Sequence, residues 1–170
     1  MAGTPESTKF PSVWVLWYFD PRNKDWSLSN YKQVADISTP QQFWTVVSAI
    51  PKESWECGYF FFMKRGVRPI WEVPENENGG SWSKRVLTRE IHEIAIELMV
   101  YAVAGSGGLF SSRGETFTGL SFSPKGEHNV VKIWNNTTTV SNAKIFLNSA
   151  IEKFPITDDV VYTAHKSRRW

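Results

Sequence analysis

Short apolar runs, most of them aromatic and bounded by Pro, Gly, Asn or Asp, recur along this chain, and three stretches with helical spacing of apolar residues interrupt them. This alternation restricts the fold more than any other feature. Aromatic and β-branched runs joined by short turns build antiparallel sheets, and an amphipathic helix must bury its stripe on such a sheet. The pattern predicts an α+β fold: a curved antiparallel sheet with helices on one face and the other face left for a ligand.

The elements follow from local signals. Strands are expected over residues 13–19, 31–36, 58–63, 67–71, 82–87, 117–122, 130–134 and 160–163. The turn Lys64-Arg65-Gly66 joins the third and fourth as a hairpin. The hairpin of 117–122 with 130–134 has a long tip containing Pro124, Lys125 and Gly126. Thr39 suits an N-cap, Pro40 the first helical position and Gln42 the reciprocal capping position. Phe43, Val46, Val47 and Ile50 then form one stripe, closed by Pro51. Thr88 can cap a second helix, with Ile91, Ile94, Ala95, Leu98, Met99 and Ala102 facing inward until the glycines of 105–108 break it. A third helix is expected over 141–153, with Ala143, Leu147, Ala150, Ile151 and Phe154 on one side. Residues 1–9 are small and polar, a disordered tail before a single domain of 10–170.

A net charge of +2 argues against a general nucleic-acid coat, which needs a broad basic face. Cys57 is the only cysteine, so neither an intrachain disulfide nor a cysteine-based zinc cluster is possible. With no apolar run of about 18 residues and no basic-then-apolar leader, a reducing, cytoplasmic or nuclear setting is expected. His92, His128 and His165 are scattered outside any metal or nucleophile motif, Cys57 reads as a small buried hydrophobe, and no cofactor motif is present. The expectation is a protein that is not an enzyme.

Nine tryptophans in 170 residues are too many for core filling alone. Tryptophan is large and keeps an N–H that needs a partner. Trp26 lies in a polar loop, and Trp71-Glu72 ends an apolar run beside another, the usual address for ligand contacts. Two indoles and one carboxylate can hold a flat, positively charged base, with the rings on its faces and the acid at its edge. Trp134 ends another strand and can close such a pocket. Period-two alternation puts Lys132 on the same face as Trp134, where it either brings charge to the pocket or is simply solvated. Trp44 falls about 110° from the centre of its helix's apolar stripe. It is either a protein-binding anchor or edge packing.

The ordered set Trp14-Val-Leu-Trp17-Tyr-Phe, Trp26, Phe43-Trp44, Pro69-Ile-Trp71-Glu72, Gly79-Gly80-Ser81-Trp82 and Lys132-Ile133-Trp134 resembles the mRNA cap-binding translation initiation factor 4E family from about Pro11 to His165. The resemblance implies a sheet of about eight strands with three helices on its convex face and the 7-methylguanosine cap of mRNA on the concave side. It implies that Trp26 and Trp71 stack on the base, that Glu72 accepts from the guanine N1–H and N2 amino group, and that Trp134 lies near the methyl group. It also implies a partner surface of Pro11, Trp44, Ile96, Glu97 and Val100 for a scaffold subunit of the 4G type or a repressor.

One departure stands out. Ser81 replaces an arginine usual after the two glycines, and Ser123 and Val130 stand where phosphate-gripping cations are expected. Lys125 and Lys132 are the substitutes, with Lys166, Arg168 and Arg169 in the tail as further contributors. The resemblance implies cap binding and recruitment to translation initiation; the alternatives are a repressor or interaction module that binds caps weakly, and a carbohydrate-binding aromatic platform.

Overall fold

Seven strands form one curved antiparallel sheet in the computed structural model, which describes residues 8–105 and 107–168. They are β1 (Trp14–Phe19), β2 (Lys32–Ile37), β3 (Tyr59–Lys64), β4 (Gly80–Leu87), β5 (Phe117–Lys125), β6 (His128–Asn135) and β7 (Val161–Ala164), in the order β2-β1-β3-β5-β6-β4-β7. Five helices accompany them: α1 (Pro40–Ala49), α2 (Lys52–Cys57), α3 (Pro74–Glu77), α4 (Ile91–Val103) and α5 (Ala143–Phe146). The expected tail falls largely on residues 1–7, and Arg169 at the other end, outside the described residues.

Alternation along the strands gives the sheet two faces. Trp14 and Leu16 of β1, Phe60 and Phe62 of β3, Leu120 and Phe122 of β5, and Val131 and Ile133 of β6 share one large core with α1, α2 and α4. Phe19, Phe61, Met63 and Trp134 point the other way and form a smaller cluster joined by Trp17, Tyr31, Tyr59, Val67 and Trp71. The stripe on α4 is buried as its spacing requires, from Ile91 to Ala102. Each of its Ile, Leu or Met side chains contributes about 1.5–3 kcal/mol by leaving water.

Helix α1 starts as its sequence dictates. Thr39 Oγ1 accepts from the Gln42 N–H at 3.2 Å, while Gln42 Oε1 accepts from the Ser38 N–H at 2.8 Å, one residue earlier than the ordinary capping box. Before α4 the outcome differs. Thr88 does not cap it: residues Thr88–Glu90 form a 3-10 turn, and the Thr88 hydroxyl donates to Asn129 Oδ1 instead. Pro51 ends α1 as expected but then opens α2, whose Trp55 is fully buried and whose Cys57 is exposed rather than buried.

Other expectations fail for identifiable reasons. Residues 67–71 are not a strand, so the described residues form seven strands rather than eight, with no hairpin at Lys64-Arg65-Gly66. β3 already pairs with β1 on one side and β5 on the other, which leaves no ladder for a third neighbour. Pro69 has no N–H to donate, and the Ile70 N–H bonds back to Arg68 O at 2.8 Å. The long tip between β5 and β6 is absent, because pairing continues to Lys125 opposite His128 around Gly126 at φ 65°. The third helix stops after one turn. Beyond it, tertiary partners take the backbone donors: Asn148 N bonds Leu109 O, and the N–H groups of Glu152 and Lys153 bond the Glu97 carboxylate. Leu147, Ile151 and Phe154 are still buried, without the helix.

Candidate functional site

The open face of the sheet carries a cleft of about 590 Å³, built from four parts of the chain. The segment between β1 and β2 supplies Trp26 and Tyr31, and β3 supplies Tyr59 and Phe61. The turn after β3 supplies Pro69, Ile70, Trp71 and Glu72, while β5 and β6 supply Ser121, Ser123, Lys125, Val130, Lys132 and Trp134. The four residues expected at the base, Trp26, Trp71, Glu72 and Trp134, and the two lysines expected at the phosphates, Lys125 and Lys132, therefore all line one cavity.

Trp26 is carried by a loop knitted from short polar side chains. The Asp20 carboxylate takes the Arg22 guanidinium and backbone N–H, and these bonds hold its pKa down at about 2. Asp25 accepts from the Ser27 N–H, and the Asn30 amide donates to Asp25 O at 2.9 Å. Asn and Asp favour such turns because their side chains reach backbone groups two residues away. Within this loop the Trp26 ring lies parallel to Phe19 at 4.1 Å, with Tyr59 edge-on at 5.2 Å. One indole face is thus taken by the protein. The side chain is nonetheless 50% exposed, which leaves the other face accessible.

Trp71 and Glu72 ride on the turn that replaced the expected strand. Asn76, fully buried at the start of the next segment, pins that turn: its amide donates to Ile70 O at 2.9 Å and reaches Arg68 O at 3.4 Å. Trp71 is half-buried with His165 stacked near it at 6.4 Å, and His165 also lies 5.0 Å from Trp134. Glu72 is exposed and lies close enough to Tyr31 to disfavour its phenolate. Burial is the larger cause, the Glu72 charge the smaller, and together they push Tyr31 up to about 12.

Trp134 is only 7% exposed and forms the floor of the cleft, its indole N–H donating to Ser121 Oγ at 3.0 Å. Gly79 and Gly80 allow β4 to pass close behind it. A Cβ on Gly79 would sit 1.9 Å from Asn135 O, and one on Gly80 2.5 Å from Thr163 O. Ser81 is fully buried between the strands. Lys166 donates to Asn78 Oδ1 at 2.6 Å and does not line the cleft.

On the other side of the molecule, Trp44 is 51% exposed on α1, and Val100 is exposed on α4 with Ile96 partly packed into the core. Pro11 is exposed and packs on Gly105 at the end of α4, while the neighbouring Phe10 N–H donates to Ser38 O before α1. That short segment ties the two helices at one end. The Glu97 carboxylate is engaged within the protein, bonding residues 152 and 153.

Asn76, Tyr31, Tyr59, Phe61 and Ser121 escaped the sequence reading. A signal existed for the aromatic ones. Tyr59 and Phe61 alternate with Phe60 and Phe62, so they had to face away from the helices. For Asn76 nothing local distinguishes it from its neighbours in a polar loop.

A family model for eukaryotic initiation factor 4E matches residues 9–169. The chain belongs to that family. Among its 4E relatives, eukaryotic translation initiation factor 4E-1 of Caenorhabditis elegans is 30% identical over 172 residues, covering 91% of this chain and 79% of that protein. The C. elegans eIF4E-3 structure in complex with the 4E-binding protein Mextli and cap analog matches with a TM-score of 0.80 at 25% identity, over 95% of this chain and 94% of that one. Ascaris suum eIF4E-3 with an m2,2,7G cap matches with a TM-score of 0.69 at 26% identity, over 79% and 76%. The 4E fold accounts for the arrangement of one sheet with a helix-covered and an open face.

Proposed function

We propose that this 4E-family chain binds the 7-methylguanosine cap of mRNA in the open-face cleft and brings it to the translation initiation machinery through a protein partner docked around Trp44. The observation that carries this reading is the convergence of Trp26, Trp71, Glu72 and Trp134 on one cavity. Cap-bound structures of the C. elegans and Ascaris relatives support it. The chain acts as a single domain over residues 10–170, as a non-enzymatic cytoplasmic or nuclear binder.

The chemistry follows from the base. Methylation at N7 leaves guanine a delocalised cation, which indole faces hold by stacking, worth about 1–3 kcal/mol per base, and by cation–π attraction of about 2 kcal/mol when desolvated. Trp26 offers its outward face and Trp71 the second wall. Glu72 accepts from two guanine N–H groups in charge-assisted bonds, which adenine cannot supply. Trp134, anchored by Ser121, closes the floor beneath the methyl group. Lys125 and Lys132 face the phosphates.

Tryptophan fluorescence during titration tests the base clamp. A 7-methylguanosine nucleotide should quench it and bind about thirtyfold more tightly than GTP, the factor a 2 kcal/mol cation–π term gives. Equal affinities reject the clamp. Glu72→Ala should remove guanine binding while thermal unfolding stays put. On the partner side, Pro11, Trp44, Ile96 and Val100 form the docking surface for a scaffold of the 4G type or a repressor, with Glu97 helping to shape it. Trp44→Ala should abolish partner capture and leave nucleotide binding intact, as expected of an exposed interfacial tryptophan worth 2 kcal/mol or more.

A second reading is a repressor or interaction module with weak cap binding. Among the described residues, Lys125 and Lys132 are the cations lining the cleft, and so thin a cationic lining favours it. Partner binding that requires Trp44, with no measurable affinity for any cap nucleotide, would select it.

A further inference from the structure

We infer that Arg85 contacts the phosphate backbone of the nucleotides that follow the cleft-bound base, completing a cationic track with Lys132 and Lys125 across β4, β6 and β5. The inference rests on the cap-binding reading and names the next stretch of ligand. Three cross-strand rows define it. In the first, Ser83 of β4 is opposite Lys132 of β6, which is opposite Ser121 of β5. The second holds Arg85, Val130 and Ser123, and the third Leu87, His128 and Lys125.

The cleft is lined by members of all three rows on β5 and β6: Ser121 and Lys132, then Ser123 and Val130, then Lys125. Its wall therefore runs outward along the hairpin, and Arg85 is the next residue across from Val130 on the same face. Directly paired residues have Cβ atoms about 4.5–5.5 Å apart and diagonal ones about 7–8 Å, so Arg85 and Lys132 lie within one side-chain length of each other. Val130, short and apolar, stands opposite Arg85 and lines the cleft beside Lys132.

Several other cations are used differently. Lys84 faces the helices, where it lies over Phe154 and donates to Pro155 O at 3.0 Å. Arg22, Arg113, Lys144 and Lys153 each hold an acid. Arg85 is exposed and enters no ion pair within 4.0 Å among the described residues. Arg85 also borders a second cleft at the start of α4, where Glu90, Glu93 and Glu152 stand with Lys84 and Lys153, and where Glu93 is held by Lys153 at 3.2 Å. A strand of phosphates leaving the base pocket along these rows meets Lys132 and Lys125 at the cleft wall and then Arg85. An arginine also suits phosphate better than a lysine, because its planar fork bonds two oxygens at once.

The test uses the whole chain and Arg85→Gln, with 7-methylguanosine nucleoside and a short capped oligoribonucleotide as probes. Nucleoside affinity should stay unchanged, while the capped oligonucleotide should bind about three- to tenfold more weakly and lose about 0.7 from its slope of log affinity against log salt. Arg85→Lys should restore most of the slope. If the nucleoside binds and Arg85→Gln leaves the oligonucleotide affinity and slope as in the wild type, the track is wrong. Equal losses on both probes would overturn it too, because they would mark Arg85 as a support of the fold. A wild-type chain that fails to bind the nucleoside at all would sink the cap-binding reading itself.

Discussion

The two faces of the sheet use the same amino acid for opposite purposes. On the helix-covered face, Trp14, Trp55 and Trp82 are at most 2% exposed and serve as core, Trp14 stacking on Phe62 and Trp55 on Phe60. On the open face, Trp134, Trp71 and Trp26 run from buried through half-buried to half-exposed around a cavity. Helices cover the first set, whereas among the described residues no helix of the α1, α2 or α4 layer packs over the second, which rests on Phe19, Ser121 and His165. Burial of an indole is a property of what packs over it, and exposed rings kept in fixed positions are available to a ligand.

Substitutions on the two faces should therefore separate folding from binding. Trp82→Ala removes a fully buried ring whose N–H donates to Ser141 O at 2.7 Å, and should destabilise the protein by about 3–5 kcal/mol in denaturant unfolding. Trp26→Ala should cost little stability yet weaken binding of a 7-methylguanosine nucleotide by about 1–3 kcal/mol in a fluorescence titration. If Trp26→Ala unfolds the chain, or Trp82→Ala affects only affinity, the division of labour between the faces collapses.

Asn76→Ala sharpens the comparison, because this buried residue acts on the open face from behind. Losing its bonds to Ile70 O and Arg68 O should cost about 1–3 kcal/mol of stability and reduce nucleotide affinity as well, through a looser Trp71-Glu72 turn. Stability that falls with affinity unchanged would show that other contacts hold the turn.

The smallest effect concerns Tyr31. Its pKa is raised to about 12, so the stability it contributes is fully present below the ordinary tyrosine value near 10 and is lost as pH climbs through 12. Glu72→Gln should lower the Tyr31 titration seen in phenolate absorbance by the lesser share of the shift, since burial is the larger cause. A return to about 10 would mean that charge, not burial, dominates on that rim.

Residue patterns carried much of this arrangement. The capped start of α1, the buried stripe of α4 and the alternation on β6 were legible because each is fixed by neighbours within a turn or a strand. The same is true of the shared cleft: loop-borne Trp26, Trp71-Glu72 and Trp134 were named from position alone, and they line one cavity. Residues 67–71 and 141–153 misled for the opposite reason. Their apolar spacing is real, but β3 had no free edge for the first, and distant acceptors claimed the backbone of the second.

The chain's order of residues thus determined which side chains face the helices and which face the open cleft, since that follows from periods of two and of about 3.6. Tertiary structure alone decided how the open-face groups are held: Trp26 laid on Phe19, the Trp71 turn pinned by Asn76, Trp134 fixed by Ser121, and Arg85 paired opposite Val130. Those contacts join residues whose pairing depends on which strands become neighbours, and strand order is a property of the closed sheet that no local stretch of sequence contains.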